Sequence, residues 1–351
     1  MLSLIRPDLA ELSAYKVDGG SEHPSPDKLD ANEVSIDLPD WFKAKLGAIT
    51  QLEIQSNRYP DGEYASLKKL VADYVGFNIT PAQISLGNGS DEIIRSLLIV
   101  ACLNRGSILV AEPTFSMYGI LAKTLGIPTV KVPRSNQDFS IDLAAAQQSI
   151  DSDRIAAVFL VHPNSPTGNS LTSAEIDWVR SIPENILVVI DEAYFEFSGI
   201  TLTGELSQHP NWVILRTCSK AFRLAAYRVG YAIGHLDLIL ALEKVRLPYN
   251  LPTVSFVAAE LAMSHHAELL ANVPEILAER DRLKLEIRNL GISVWDSDAN
   301  YLYLRSADDS SIANCLKANG TIIRQTGGGL RLTIGTPEQN HRTLSRLKSC
   351  L

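Results

Sequence analysis

The sequence lacks the features that would mark a membrane or nucleic-acid-binding protein. None of its apolar runs approaches ~18 residues, the length of a membrane-spanning helix, and its acidic first segment does not resemble a secretory signal peptide. The formal net charge is −8 with no dense Lys/Arg block, so we expect neither a membrane nor nucleic acid as a partner. A local cluster of arginines would still attract a small anionic ligand.

Cysteine is also scarce, and the GxGxxG dinucleotide fingerprint is absent. The four cysteines are scattered, with no CxxC pair and no nearby histidine at metal-ligand spacing: Cys102, Cys218, Cys315 and Cys350. This pattern argues against a metal site and against a disulfide framework. We therefore expect no bound metal, a reducing compartment and a cytoplasmic location.

From about residue 60 the sequence alternates short apolar runs with helical stretches. The apolar runs are rich in Val, Ile and Leu, and each precedes a polar or Gly/Pro break: 107–111, 156–162, 186–190 and 212–215. The helical patterns between them cover residues 91–103, 115–125 and 172–181. Strands that are buried on both faces and alternate with helices are typical of an α/β protein with a mostly parallel sheet.

The pattern changes after about residue 250. One long helical stretch, 254–290, leads into short strands and one helix, predicted at 293–295, 301–304, 311–319 (the helix) and 330–334. These predict a smaller α+β domain. We therefore expect an N-terminal arm at 1–35 that is part of the small domain, a large domain at 36–248 and a small C-terminal domain at 249–351. Residues 1–30, rich in Pro, Asp, Ser and Gly, are interpreted as an arm and not as a core element.

Two glycine-containing segments follow or precede these apolar runs. GNGSDE at 87–92 opens a helix, and a helix start presents free N–H groups to an anion, although this segment taken alone favours simple capping by Ser90. HPNSPTG at 162–168 follows an apolar run and is compatible with an ordinary turn, so His162 receives no role. In a parallel sheet, ligands bind beyond the carboxyl ends of the strands, where such loops meet.

Two further segments carry ionisable side chains. In VVIDEAY at 188–194, Asp191 ends a buried strand and Tyr194 follows three residues later, although acids at strand ends are common. In RTCSKAF at 216–222, Lys220 lies among small and apolar residues, with Arg228 eight residues beyond it. Burial or nearby cations would lower the pKa of that lysine and make its neutral amine a nucleophile or base. The alternative is a surface lysine that snorkels along a helix.

In this order and spacing, the segments resemble those of the fold-type I pyridoxal 5′-phosphate (PLP) aminotransferases, most closely the histidinol-phosphate aminotransferase branch. The resemblance extends from residue 15 to about 338. Besides GNGSDE, it is carried by NRYPDG at 57–62, PTFSMY at 113–118, DEAYFEF at 191–197, SKAF at 219–222, RVGYAI at 228–233 and LRLTIGTP at 330–337.

The resemblance implies roles around the cofactor ring. Lys220 would carry PLP covalently and later shuttle the substrate proton, and Asp191 would pair with the pyridine nitrogen. Tyr194 would hydrogen-bond the ring hydroxyl, and Phe115 would stack on the ring face. The family usually has Asn directly before Pro-Thr-Gly as a further contact to that hydroxyl. This chain has Ser165 there, so either Ser165 or the neighbouring Asn164 would make the contact.

The resemblance also implies two sites for anionic groups. The cofactor phosphate would lie on the helix start and nearby side chains: Gly89, Ser90, Asp91, Thr217, Ser219 and Arg228. Tyr59 would reach the phosphate in a neighbouring subunit, which implies a homodimer. Arg331, on the opposite strand face from Leu330 and Leu332, would bind the anionic group at the substrate Cα. The remaining substrate contacts would come from Tyr15, Asn32 and Arg324.

The implied activity is transamination of L-histidinol phosphate with 2-oxoglutarate, with glutamate as the second product, in histidine biosynthesis. An aminotransferase for aromatic amino acids is an alternative, because an arginine binds carboxylate as well as phosphate. A threonine-phosphate-type decarboxylase is another, since it uses a similar scaffold with a different orientation of the carboxylate. A ligand-sensing regulator is disfavoured, because an arm of this length leaves no room for a DNA-binding domain.

Overall fold

The structure, a computed structural model, describes residues 4–7, 9 and 23–351. In these residues twelve strands form two sheets. Their bounds are β1 Asp27–Leu29, β2 Ile84–Asn88, β3 Ser107–Glu112, β4 Thr129–Pro133, β5 Ile155–Val161, β6 Leu187–Asp191, β7 Trp212–Thr217, β8 Val229–Gly234, β9 Ser293–Val294, β10 Tyr301–Arg305, β11 Thr321–Thr326 and β12 Gly329–Thr333.

The larger sheet has seven strands in the order β2-β8-β7-β6-β5-β3-β4. Its strands are parallel except for β8, which is antiparallel to both of its neighbours. Every residue of β5, β6 and β7 is buried, because helices cover both faces of the sheet. The predicted mostly parallel α/β architecture is confirmed, and each of the four apolar runs forms a strand.

Thirteen α-helices lie in the described residues. Their bounds are α1 Asp40–Leu52, α2 Ala65–Val75, α3 Gly89–Ala101, α4 Met117–Thr124, α5 Leu143–Ser152, α6 Ser173–Ser181, α7 Phe195–Ser198, α8 Leu236–Val245, α9 Thr253–Ser264, α10 His266–Leu269, α11 Val273–Arg288, α12 Asp309–Ala318 and α13 Pro337–Ser349. None of them is both long enough and apolar enough to cross a membrane.

The single long helix predicted at 254–290 is wrong. The structure divides this stretch into α9, α10 and α11. Helix α11 begins at Val273, and Pro274 lies in its first turn. Proline has no N–H to donate to the preceding turn, so it is tolerated at a helix start and interrupts a helix interior. The apolar periodicity continues through the breaks, which is why it did not reveal them.

The smaller sheet has five strands in the order β1-β11-β12-β10-β9. Its edge strand β1 pairs in parallel with β11, so the interpretation of residues 1–30 as lacking a core element is wrong for this part. Buried Asp27 of β1 accepts hydrogen bonds from Arg342 at 2.6 Å and Arg346 at 2.7 Å, both on α13. Burial opposes ionisation of this carboxyl, but the two arginines hold its pKa below the ordinary value.

The packing of α9 bears on where the chain divides into domains. Its buried residues, among them Ala258 and Leu261, share a core with α1 and α2 on the seven-stranded sheet. The residues of α11 belong instead to the core of the five-stranded sheet. The division at 35 and 248 stays a proposal, and this packing favours a second boundary near Leu270, which contacts both cores.

The expectation that the cysteines form no disulfide is wrong. Cys315 on α12 and Cys350 at the end of α13 are bonded, across 35 residues of sequence. The two helices pack against each other beside the small sheet, and this tertiary proximity leaves no trace in cysteine spacing. The cysteine count therefore no longer argues for a reducing compartment.

Candidate active site

A cavity of about 300 Å³ lies between the two sheets, at the carboxyl ends of β5, β6 and β7. The structure brings most of the predicted site residues together in its walls: Asn32, Ser90, Asp91, Phe115, Ser165, Asp191, Tyr194, Thr217, Ser219, Lys220, Arg228, Arg324 and Arg331. This location follows from topology, since the loops of parallel strands converge at that edge. Tyr15 lies outside the described residues.

Asp191 is the last residue of β6 and is 3% exposed. Its Oδ2 accepts a hydrogen bond from Tyr118 Oη at 2.7 Å, and its Oδ1 accepts one from the backbone N–H of Ala193 at 3.0 Å. Burial raises the pKa of this carboxyl to about 6, against the opposing effect of the two hydrogen bonds. A buried carboxylate of this kind is suited to pair with a protonated ring nitrogen.

Tyr118 has a contact that the sequence did not reveal. It is fully buried on α4, and its ring lies 4.9 Å from that of Phe159 and 5.4 Å, edge-on, from that of Phe115. The signal was present, since Tyr118 ends the PTFSMY segment. Only the fold, however, places α4 beside the end of β6, 73 residues away in sequence.

Lys220 follows β7 by three residues, and its side chain points into the cavity. Its Nζ donates to the backbone carbonyl of Ala31 at 2.7 Å. Burial lowers the pKa of this amine, and the positive charges of Arg331 and Arg228 act in the same direction, while Tyr194 opposes them. A larger fraction of the amine is therefore neutral, and thus nucleophilic, than for a lysine in water.

The start of α3 and the loop after β7 form a cluster of donors. Arg228 Nη1 donates to Ser219 Oγ at 3.2 Å, and Thr217 Oγ1 donates to the same oxygen at 2.9 Å. Arg228 Nη2 lies 3.5 Å from a carboxylate oxygen of Asp91. Hydroxyls, a guanidinium and the first N–H groups of a helix together suit a phosphate group.

Gly89 serves this cluster without lining the cavity. Its φ is +75°, and a Cβ at this position would lie 2.4 Å from Arg228 Nη2. Any other residue would therefore displace the guanidinium and strain the backbone. Gly89 permits the anion site and does not contact the cavity itself.

Asn164 is not among the residues that line the cavity. Its Nδ2 donates to Thr167 Oγ1 in the same turn at 2.6 Å and to the carbonyl of Pro113, which follows β3, at 3.0 Å. Ser165 lines the cavity instead, and its Oγ accepts a hydrogen bond from Arg331 Nη1 at 3.1 Å. Of these two residues, only Ser165 lines the cavity, and which of them contacts a ligand stays a prediction.

Arg324 and Arg331 are direct cross-strand partners on β11 and β12, and both line the cavity. Two like charges in this position repel each other, so an anion between them would relieve the repulsion. Arg331 Nη2 donates to the Asp30 carbonyl at 2.6 Å. Its Nε is buried and has no hydrogen-bond partner among the residues that the structure describes. An acceptor oxygen of a ligand would satisfy this donor of Arg331.

Tyr59 does not line this cavity. It is 80% exposed, and its ring stacks on that of Tyr249 with 4.6 Å between the centroids. Within its own subunit, Tyr59 is therefore not among the residues that line the site.

A buried ion pair supports the site from behind. Arg216 Nε donates to Glu192 Oε2 at 3.0 Å, and both side chains are almost completely buried. These residues adjoin Thr217 and Asp191, so the pair ties the ends of β6 and β7 together. The sequence predicted no role for either residue, although both lie inside the motifs.

The fold and this set of residues define a site for a phosphate-bearing aldehyde held by a lysine. The chain matches the model of the aminotransferase class I and II family over residues 24–347, and it belongs to that family. The predicted family resemblance is confirmed.

Relatives and solved structures agree with this assignment. The chain is 53% identical to the histidinol-phosphate aminotransferase of Trichodesmium erythraeum (strain IMS101), over 99% of both chains. It is 54% identical to the enzyme of that name from Synechococcus sp. (strain JA-3-3Ab), over 100% of this chain and 99% of the other. The crystal structure of histidinol-phosphate aminotransferase from Sinorhizobium meliloti in complex with pyridoxal-5′-phosphate has a TM-score of 0.88 at 21% identity, covering 100% of this chain and 98% of that one. This likeness confirms the predicted fold-type I architecture.

Proposed function

We propose that the chain is a PLP-dependent aminotransferase that converts L-histidinol phosphate and 2-oxoglutarate into imidazole-acetol phosphate and glutamate, in histidine biosynthesis. The observation that carries the proposal is the cross-strand pair Arg324 and Arg331 in the wall of the cavity that holds the Lys220 amine. The names of relatives about half identical over the full chain support the same substrate.

The residues present fit PLP. The donor cluster of Thr217, Ser219 and Arg228 suits its phosphate, and the buried carboxylate of Asp191 suits its ring nitrogen. Lys220 supplies the amine that an aldehyde requires. When bound, PLP withdraws electrons from the substrate Cα and makes its proton removable.

Each protein group then has one task. With PLP bound, Lys220 Nζ would accept the proton from the substrate Cα, because burial keeps part of the amine neutral. Asp191 would hold a proton on the ring nitrogen, and Tyr118 fixes that carboxylate in place. Ser165 and Arg331, which are hydrogen-bonded to each other, lie beside the substrate.

The arginine pair favours a phosphate-bearing donor over an aromatic amino acid. One arginine is sufficient to bind a carboxylate, whereas two cross-strand arginines match the multiple oxygens and charge of a phosphate monoester. The other half-reaction converts 2-oxoglutarate into glutamate, and these would use Arg331 for a carboxylate.

A spectral titration of the holoenzyme tests this choice. Histidinol phosphate should convert the cofactor to its amine form at concentrations far below those needed for phenylalanine or tyrosine, and no CO₂ should appear. Conversion by phenylalanine at equal or lower concentration would establish the aromatic aminotransferase instead. Release of CO₂ from threonine phosphate would establish the decarboxylase.

We further propose a cytoplasmic homodimer in which Tyr59 reaches the cofactor phosphate of the partner subunit. The exposure of Tyr59 and its absence from the cavity wall of its own chain support this arrangement. Mixing inactive Lys220→Ala and Tyr59→Ala subunits tests it, because a mixed dimer regains one complete site if Tyr59 acts across the interface. If no activity returns when mixed dimers are shown to form, Tyr59 does not act across subunits.

A further inference from the structure

Asn32 connects the five-stranded sheet to the phenol of Tyr194. Its Nδ2 donates to Tyr194 Oη at 2.8 Å, and this contact is buried. Asn32 is the third residue after β1, and its φ of 55° lies in the left-handed region. Asn300 Nδ2 donates to the backbone carbonyl of Asn32 at 3.1 Å. The backbone that carries the Asn32 side-chain amide is therefore held in place by a residue next to the small sheet.

Thr333 of β12 determines which way the amide faces. The Thr333 hydroxyl oxygen accepts a hydrogen bond from the Asn32 backbone N–H at 3.0 Å and donates its own hydrogen to Asn32 Oδ1 at 3.2 Å. If the amide were turned round, the buried hydroxyl hydrogen would lose this acceptor. Asn32 therefore presents an N–H, and not an oxygen, to Tyr194.

A phenol that accepts a hydrogen bond from an amide must direct its own hydrogen elsewhere. Tyr194 is 6% exposed and lines the cavity beside Lys220 and Asp191. Among the residues that the structure describes, its hydroxyl hydrogen has no acceptor. This hydrogen is thus available to a ligand oxygen in the cavity.

We propose that Asn32 is a positioning residue that fixes Tyr194 as a hydrogen-bond donor to the ring oxygen of the cofactor, and that Thr333 sets the orientation of Asn32. This inference rests on the proposed function, because it requires bound PLP. It replaces the predicted role of Asn32 as a direct substrate contact.

The consequence concerns a proton on the nitrogen that joins Lys220 to the cofactor. The negative ring oxygen attracts that proton, and a hydrogen bond donated by Tyr194 disperses the negative charge. Without the hydrogen bond from Tyr194, the ring oxygen would attract the proton on that nitrogen more strongly, so the proton would leave at higher pH. The other ionisable groups around Tyr194 are Lys220, Asp191, Tyr118, Tyr301 and Arg331. Replacing Asn32 by another uncharged residue leaves all of these groups in place.

The test measures the pH midpoint at which the visible absorption of the PLP-loaded protein changes. Asn32→Gly is the appropriate truncation, because glycine tolerates the positive φ. The same substitution in a Tyr194→Phe background completes a double-mutant cycle. Thr333→Val, with Thr333→Ser as the conservative partner, tests the orientation of the amide without changing Asn32.

We expect Asn32→Gly to raise the midpoint by about one pH unit, the effect of one hydrogen bond to a charged oxygen. In the Tyr194→Phe background it should cause no further change, and Thr333→Ser should keep the parental midpoint that Thr333→Val loses. Equal shifts in both backgrounds, or no shift in the parent, would overturn the inference. If Asn32→Gly fails to fold, the comparison of Thr333→Val with Thr333→Ser tests the inference by itself. An absence of any cofactor band in the parent protein would refute the proposed function itself.

Discussion

The two sheets contribute different kinds of residue to one cavity. The edge of the seven-stranded sheet supplies Asp191 and Lys220, whose pKa values are shifted by burial in the directions that the chemistry needs. The five-stranded sheet supplies Arg324 and Arg331, which are half-buried and line the cavity. The comparison teaches that reaction type and substrate choice are separable here. In the proposed function, the reaction type depends on residues at the edge of the fully packed large sheet. The substrate choice depends on two strands of the small sheet that face this edge.

The largest effect should come from the large sheet. Lys220→Ala should reduce single-turnover amino transfer by roughly 10⁴-fold or more, because both the attachment point and the base are lost. The matched control is Lys131→Ala, which removes an exposed lysine paired with Glu112, and it should keep parental rates. Amino transfer by Lys220→Ala at the parental rate would show that Lys220 takes no part in the chemistry.

Asp191→Asn should retain PLP but slow the proton-transfer step by roughly 10²–10⁴-fold, because the ring nitrogen loses its counter-charge. Rapid-mixing spectroscopy measures this step. Full single-turnover speed would show that this carboxylate does not hold the ring proton.

The same substitution should stabilise the cofactor-free protein at neutral pH. The pKa of Asp191 is raised from 3.8 to about 6 in the folded state, so its contribution to stability is present below 3.8 and is lost as pH rises through 6. Asparagine has no such loss. Denaturant unfolding should therefore find apo Asp191→Asn more stable than the parent at pH 8, by up to about 3 kcal/mol, with the difference vanishing towards pH 4. A difference that is constant with pH would contradict the assigned cause.

On the small sheet, substitution should change selectivity more than chemistry. Arg324→Gln should lower kcat/KM for histidinol phosphate by roughly 10- to 100-fold, the value of a hydrogen bond to a charged group. The glutamate half-reaction, which relies on Arg331, should change much less. Equal losses for both donors would mean that Arg324 supports the site as a whole and does not select phosphate.

The smallest catalytic effect should come from the disulfide beside the small sheet. Cys350→Ser should lower the free energy of unfolding by about 2–4 kcal/mol, because the closed loop no longer restricts the unfolded chain. The proton-transfer rate should stay at the parental value, since Cys315 and Cys350 lie outside the cavity. An unchanged unfolding curve would show that the bond does not form in solution.

The same contrast explains what could be predicted from sequence. Asp191, Lys220 and the start of α3 follow or precede apolar runs, so local pattern and family resemblance located them. The contacts of Asn32 with Tyr194 and Thr333 span 162 and 301 residues, and no local pattern encodes them. The disulfide was missed because it depends on how α12 and α13 pack, which cysteine spacing does not record. The start of α11 was missed because a single proline outweighs apolar periodicity.

The most direct test of the account is to locate the cofactor on the chain. The PLP-loaded protein would be reduced with borohydride, digested, and its pyridoxyl-modified peptide sequenced by mass spectrometry. We expect one modified residue, Lys220, in the peptide that contains Ser219 and Ala221. A modification on another lysine, or none, would contradict the claim that the Lys220 amine holds the cofactor.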